Sequence, residues 1–294
     1  MAEKILVPLD GSNAAEIVIP YVEEIATKLS AEIIVVSVYE SSDDMSHLHS
    51  YYLERVVEQM QRQLKEFEPG VELKIQSDVL QGKPAHELLH YADEADVSLI
   101  AMASYGSSGR EPKLLGNIAT KVIRSSSKPV LLIRAPASDA DLQGRRLIKK
   151  ILVPLDGSKI GETIIEYIEV LAKGLGAELL LFQVLEPLRI VAGFETVAPY
   201  TIPQGEESIK ASAITYLNSI QKSLREKSIK TSTAIVWGSA AERIIEYADT
   251  NTIDLIAMSS HGLSGVGRWV LGSVTEKVLQ AGDKPVLIVR PAKS

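Results

Sequence analysis

The segment richest in chemistry is Met258–Ser273, MSSHGLSGVGRWVLGS, with glycines at Gly262, Gly265, Gly267 and Gly272. An apolar run, Leu255–Ser259, precedes it, and a helical pattern, Val274–Ala281, follows. A strand, a glycine-rich loop and a helix in that order present backbone N–H groups and a positive helix terminus where a phosphate can sit. Glycine keeps a Cβ out of the anion's path, and Arg268, inside the loop, offers a cation to the same charge. Two common nucleotide signatures fail. The loop has no lysine for G-x4-G-K-[ST], and Gly262–Gly267 spells G-x-x-G-x-G, the reverse of the dinucleotide spacing.

A second segment, His86–His90, reads H-E-x-x-H and sets two imidazoles on one helical face, with Glu87 as a base. It is not read as a metal centre. The matching helix of the second half reads Glu242-Arg243-Ile244-Ile245-Glu246, so the scaffold needs no metal there. Ala85, Leu88, Leu89 and Ala92 form the inward stripe, which leaves the histidines on its flank without an evident third ligand. His47 and His49 fall in a polar connection and are read as solvated. With no cysteine in the chain, disulfides, thiolate catalysis and Cys-ligated metals are excluded.

The elements that position these residues are written twice. Lys4–Ser12 (KILVPLDGS) recurs letter for letter as Lys150–Ser158, the mark of a duplicated domain. Asp10 pairs with Asp156 at an offset of 146, whereas Gly82/Gly238, Gly106/Gly262 and Gly116/Gly272 pair at 156. Ten extra residues are therefore expected within Glu186–Glu207, read as a loop because Pro187, Pro199 and Pro203 break helix and strand. A helix over about Ser208–Lys227 is expected to follow. Each copy alternates strand and helix, which predicts an α/β fold of two tandem, doubly wound domains with parallel sheets and helices on both faces. The domains are placed at residues 1–136 and 148–294, with a polar linker at 137–147. Both copies end in a Lys-Pro-Val strand, Lys128–Arg134 and Lys284–Arg290. Two such equivalent edges can pair within one chain about a local two-fold axis.

At 294 residues, 46% hydrophobic and 23% charged, the composition is that of a globular protein of two ordinary domains. A net charge of −7 argues against nucleic acid as a main partner. No apolar run approaches the roughly 18 residues of a membrane span. The strand-like run Ile5–Leu9 leaves no room for a signal peptide, and a cytoplasmic location is expected.

The spacing Gly262, nine residues, Gly272-Ser273, with Asp156 at the end of a first strand, resembles the universal stress protein family in its ATP-binding branch. That branch carries G-x2-G-x9-G-[ST], and the similarity spans nearly all of both halves. The resemblance implies five-stranded, Rossmann-like domains of the adenine nucleotide alpha hydrolase type. It further implies ATP, or AMP or ADP, as a regulatory ligand, with Mg²⁺ beside the phosphates. Gly262, Gly272 and Ser273 fall on its phosphate- and ribose-binding positions, Pro154 and Asp156 beside the adenosine, and Val184 where a strand backbone meets adenine. Leu155, Gly265, Arg268 and Val274 complete the candidate set. Ser259 stands at the motif's first glycine.

In the first copy Pro8, Asp10, Val38, Gly106 and Gly116 match. Ala103 replaces that first glycine, Asn117 replaces the serine, and Pro112 stands for Arg268. Weaker binding there, or none, is expected. Structural roles compete for the same residues: Asp-Gly can simply turn a corner, and Ser273-Val-Thr-Glu276 spells a capping box. No catalytic constellation is evident, so activity is expected to be at most slow ATP hydrolysis. An interaction protein with vestigial sites and a slow ATPase or phosphotransferase are the alternatives. A homodimer also remains open.

Overall fold

A computed structural model describes residues 3–40, 45–106, 115–134, 146–186, 203–262 and 271–291. The repeated segment forms equivalent strands, β1 (Lys4–Pro8) and β6 (Lys150–Pro154), whose three middle residues are buried in both copies. The first half continues through α1 (Asn13–Glu16), α2 (Ile19–Leu29), β2 (Glu32–Tyr39), α3 (Ser46–Phe67), β3 (Ile75–Gln81), α4 (Pro84–Glu94), β4 (Leu99–Ala103), α5 (Asn117–Ser125) and β5 (Val130–Ile133). The second half follows β6 with a 3₁₀ turn (Gly161–Thr163), α6 (Ile164–Leu175), β7 (Glu178–Leu185) and α7 (Pro203–Glu226). It closes with β8 (Thr231–Trp237), α8 (Ala240–Thr250), β9 (Leu255–Ser259), α9 (Ser273–Ala281) and β10 (Val286–Val289). Among the described residues no helix is long and apolar enough to cross a membrane.

All ten strands join in one sheet, ordered β3-β2-β1-β4-β5-β10-β9-β6-β7-β8. Each half is parallel, and the halves meet antiparallel at β5 and β10, where Leu131 lies opposite Leu287. The two strand edges thus cover one another about a local two-fold axis. Because side chains alternate along a strand, Ile5 and Val7 enter one core and Leu6 the other. Each core also contains the equivalent residues of the second half, Ile151 and Val153 in one and Leu152 in the other, so hydrophobic packing is continuous across the join.

Helices α2 and α6 pack together over this axis, and a Cβ on Gly174 would collide with the Leu29 side chain. On the opposite face Arg124 pairs with Glu276 at 2.7 Å. Arg134 donates to the Leu279 carbonyl and Arg290 to the Arg124 carbonyl, each reaching the last turn of the other half's final helix. Cations suit that end of a helix, where carbonyls lack helical partners.

The join itself is not wholly polar. Leu147 and Ile148 are buried, and their N–H groups donate at 2.9 and 3.2 Å to Glu24 Oε2 on α2. Burial pushes the Glu24 carboxyl up to about 7, although these donors, Lys28 and Arg146 all pull it down.

The count of extra residues is also corrected. Tyr52 on α3 faces Asp10, Gly11 and Glu16, and Tyr216 on α7 faces Asp156, Gly157 and Glu162, so the two tyrosines are equivalent. Buried Leu53/Leu217 and Met60/Leu224 keep the same offset of 164. The second copy therefore carries eighteen extra residues before this tyrosine, since 164 exceeds 146 by 18: eleven in the connection after the second strand and seven in a longer start to the helix. It has eight fewer from the tyrosine to the next strand, five in the helix and three in the connection after it, which restores the offset to 156. The helix also starts at Pro203, five residues before the expected Ser208. Proline breaks a helix interior but is favoured in the first turn, where its missing N–H costs nothing.

Candidate functional site

In each half β1 or β6 lies between strands reached in opposite directions, so the chain diverges at the carboxyl ends of β1/β4 and β6/β9. Ligand crevices of open α/β sheets form at such points. The Asp-Gly-Ser turn sits on this rim. Asp156 Oδ1 accepts from Ser158 N at 3.0 Å and Ser158 Oγ at 2.6 Å, and Asp10 accepts from Ser12 N and Oγ at 3.1 and 2.5 Å. Gly157 and Gly11 take φ of +83° beside them, a conformation that favours glycine. The turn-forming role of both aspartates is therefore realised, and it aims their second oxygens at the next glycine. A Cβ on Gly262 would collide with Asp156 Oδ2, and one on Gly106 with Asp10 Oδ2.

The start of α9 is pinned over the same rim. Gly272 is its N-cap, donates its N–H to the Ser260 carbonyl at 2.8 Å, and packs closely there, since a Cβ would lie a tight 3.3 Å from that oxygen. Thr275 Oγ1 donates to the Ser259 carbonyl at 3.1 Å. The expected capping box is not formed. Ser273 is the first helical residue, no side chain caps the helix, and Glu276 is drawn to Arg124. Exposed Ser273 thus stands at the helix entrance, among first-turn N–H groups that no helical carbonyl can reach.

The structure gathers Pro154, Leu155, Asp156, Val184, Ser259, Gly262, Gly272, Ser273 and Val274 around one cavity of about 550 Å³. Gly265 and Arg268 lie outside the described residues. In the first half Pro8, Asp10, Val38, Gly106, Gly116 and Asn117 surround a cavity of only about 190 Å³. Five residues on its rim are larger than their second-half equivalents: Ala15 for Gly161, Pro84 for Ala240, Tyr105 for His261, Asn117 for Ser273 and Ile118 for Val274. Phe182 for Val36, Ser259 for Ala103 and Thr275 for Ala119 run the other way without reversing the difference. Small-molecule sites commonly occupy roughly 300–1,000 Å³, which admits the second cavity and not the first.

Phe182, Ala240, Ile244, His261 and Thr275 also line the larger cavity and were not foreseen. One signal for them was present in the paired glycines Gly82 and Gly238. They adopt φ of +142° and +146° and turn the chain into α4 and α8, bringing Pro84 and Ala240 to the rim. His261 Nδ1 lies 2.8 Å from Ser260 Oγ. Its replacement Tyr105 leaves buried Ser104 Oγ without a partner among the described residues.

The histidine motif is paired with neighbouring glutamates. His86 and His90 are exposed with parallel rings 6.3 Å apart, and they face Glu87 and Glu94 respectively. No group of three or more metal-binding side chains converges among the described residues. His49 departs from its reading as solvated: α3 begins at Ser46, and His49 lies half-buried with Nδ1 2.7 Å from Ser37 Oγ.

The family model described as "Universal stress protein family" matches residues 1–134 and again 147–290. The chain belongs to the universal stress protein family. A Methanocaldococcus jannaschii relative, universal stress protein MJ0531, is 30% identical over 155 residues, covering 51% of this chain and 86% of the relative. A universal stress protein structure from Archaeoglobus fulgidus superposes with a TM-score of 0.64 over 99% of both chains at 22% identity. A Pseudomonas aeruginosa PAO1 structure of unknown function gives 0.73 over 99% of this chain and 93% of that one, at 15% identity. These likenesses establish a tandem universal stress protein fold.

Proposed function

We propose that the second half binds an adenine nucleotide, ATP or its AMP or ADP relatives, as a regulatory ligand. The carrying observation is the cavity of about 550 Å³ at the strand divergence, roofed by the start of α9. In this reading Val184 on β7 borders the adenine, Asp156 and Pro154 border the adenosine, and Gly262 and Ser273 border ribose and phosphates. The first-turn N–H groups of α9 supply donors and a favourable dipole for phosphate. Mg²⁺ would arrive on the phosphates, since this ion keeps most of its waters and binds chiefly through phosphate oxygens. The first half, with its cavity of about 190 Å³, binds the nucleotide weakly or not at all.

Thermal denaturation with ATP and Mg²⁺ tests this reading. Ligand at a hundred times its Kd stabilises the native state by about 2.7 kcal/mol, so the melting temperature should rise. Ala240→Pro imports the first half's residue at the first helical position. Its preceding residue, Ser239, already has the extended φ −76°, ψ 123° that a following proline prefers. This variant should fold and lose most of the ATP-dependent rise. No rise in the parent protein at millimolar ATP would refute the proposal.

A further inference from the structure

The ten-stranded sheet ends on two equivalent edges, β3 and β8. Alternate residues there turn their N–H and C=O groups away from the sheet: Ile75, Ser77 and Val79 on β3, and Thr231, Thr233, Ile235 and Trp237 on β8. Such a row invites another strand unless it is blunted. The second half blunts its own. Gln221 Nε2 and Arg225 Nη2 on α7 donate to the Thr231 carbonyl at 2.9 and 2.8 Å, and Arg243 Nε on α8 donates to the Trp237 carbonyl at 3.1 Å. Val57, Gln61 and Glu87 stand at the matching places of the first half. Among the described residues no side chain donates to the carbonyls of Ile75, Ser77 or Val79. Gln76, Ser77 and Asp78 are exposed in succession, whereas no residue of β8 is exposed.

The bare edge is complementary to itself. With a second copy laid antiparallel so that Ser77 faces Ser77, Ile75 falls opposite Val79, and these residues exchange N–H···O=C bonds in both directions. Ile75 and Val79 are partly buried against a core of the first half, which the contact would extend. On the other face Gln76 meets Asp78, an amide against a carboxylate. Exposed Lys74 then lies diagonal to Asp78 of the second copy, within reach of a long side chain. Centring the pair one residue later would set Asp78 against Asp78, which like charge disfavours. The chain already contains one contact of this kind, since β5 and β10 pair antiparallel with α2 and α6 packed over them. We propose that two copies of this chain pair through β3, Ser77 against Ser77, joining their two sheets into one. A two-fold contact uses the same edge of both chains, so assembly stops at two. The contact is independent of the nucleotide reading.

Sedimentation equilibrium of the full chain tests this, and the parent should dimerise reversibly as concentration rises. Ser77→Pro removes an N–H that the fold does not use, on an edge strand where proline is tolerated. It should sediment as a monomer while circular dichroism shows it folded. Cross-linking supplies a second readout that does not depend on proline. Because the chain has no cysteine, Ser77→Cys introduces a single thiol. Antiparallel strands hydrogen-bonded at that residue hold its two Cα atoms about 5.5 Å apart, within disulfide range. Mild oxidation should therefore link Ser77→Cys into a dimer and leave Thr233→Cys, at the matching place on the blunted edge, unlinked. A parent chain monomeric at every concentration, a folded Ser77→Pro that dimerises as the parent does, or Thr233→Cys linking as readily as Ser77→Cys would overturn the proposal.

Discussion

The missing Cβ at Gly262 does two jobs in the proposed site: it admits the Asp156 carboxylate and leaves the rim open to a ligand. Gly262→Ala would drive a methyl into Asp156 Oδ2, and overpacking of this kind costs roughly 1–3 kcal/mol. Gly106→Ala meets Asp10 in the same way. Chemical denaturation should therefore show similar losses of stability for both variants, whereas calorimetric titration with ATP should show lost binding for Gly262→Ala alone. Equal effects on binding would place the two sites on a par. These aspartates and glycines were legible because each occurs twice at a fixed offset, so the chain supplies its own comparison. Tyr52 and Tyr216, which flank the same turns, were not legible. Eighteen extra residues before Tyr216 and eight fewer after it hide their equivalence behind a net difference of ten. The capping-box pattern at Ser273 fails for a different reason. S-x-x-E is a local pattern, and a partner from the other half, Arg124, takes its glutamate.

Helix α2 carries the group most sensitive to pH. Glu24 has an ordinary value of 4.5 raised to about 7 in the fold, chiefly by burial. The folded protein therefore binds the proton more tightly than the unfolded chain does. That contribution to stability is fully present below pH 4.5 and is lost as pH rises through about 7. At about 1.4 kcal/mol per pH unit the full swing is ~3 kcal/mol. Glu24→Gln keeps an amide oxygen for the Leu147 and Ile148 donors and removes the titration. Urea denaturation between pH 5 and pH 8 should show the parent losing stability where the variant stays flat, and parallel profiles would exclude Glu24 as the source. From sequence the elements themselves were readable, since apolar runs of strand length alternate with helical spacing such as buried Ile164, Ile168, Leu171 and Leu175. What sequence could not show was that a glutamate on an amphipathic helix faces inward. Only the tertiary path of the join puts two N–H groups there, and the other copy has Val170 at the same position.

At the scale of the molecule, the two halves share more than a covalent tether. Strands β5 and β10 pair directly, both hydrophobic cores run through the join, and Arg134, Arg290 and the Arg124–Glu276 pair cross it on one face. The duplication and the pairing of final strands followed from the repeats. The continuity of the cores did not, because periodicity shows which residues are buried but not which element covers them. Separate domains joined by a polar linker unfold in separate steps, whereas domains that share a core lose it together. The parent chain should therefore unfold in one calorimetric transition, with van't Hoff and calorimetric enthalpies in agreement, and two resolved transitions would refute that coupling. Leu287→Asp sharpens the test by placing a carboxylate opposite Leu131, within the buried apolar cluster that both halves share. An unpaired buried charge of this kind costs several kcal/mol. The variant should lower the stability of both halves, seen as lost hydrogen-exchange protection in β1 and β4 as well as in β9 and β10. Protection lost only in the second half would mean that the first stands without its partner.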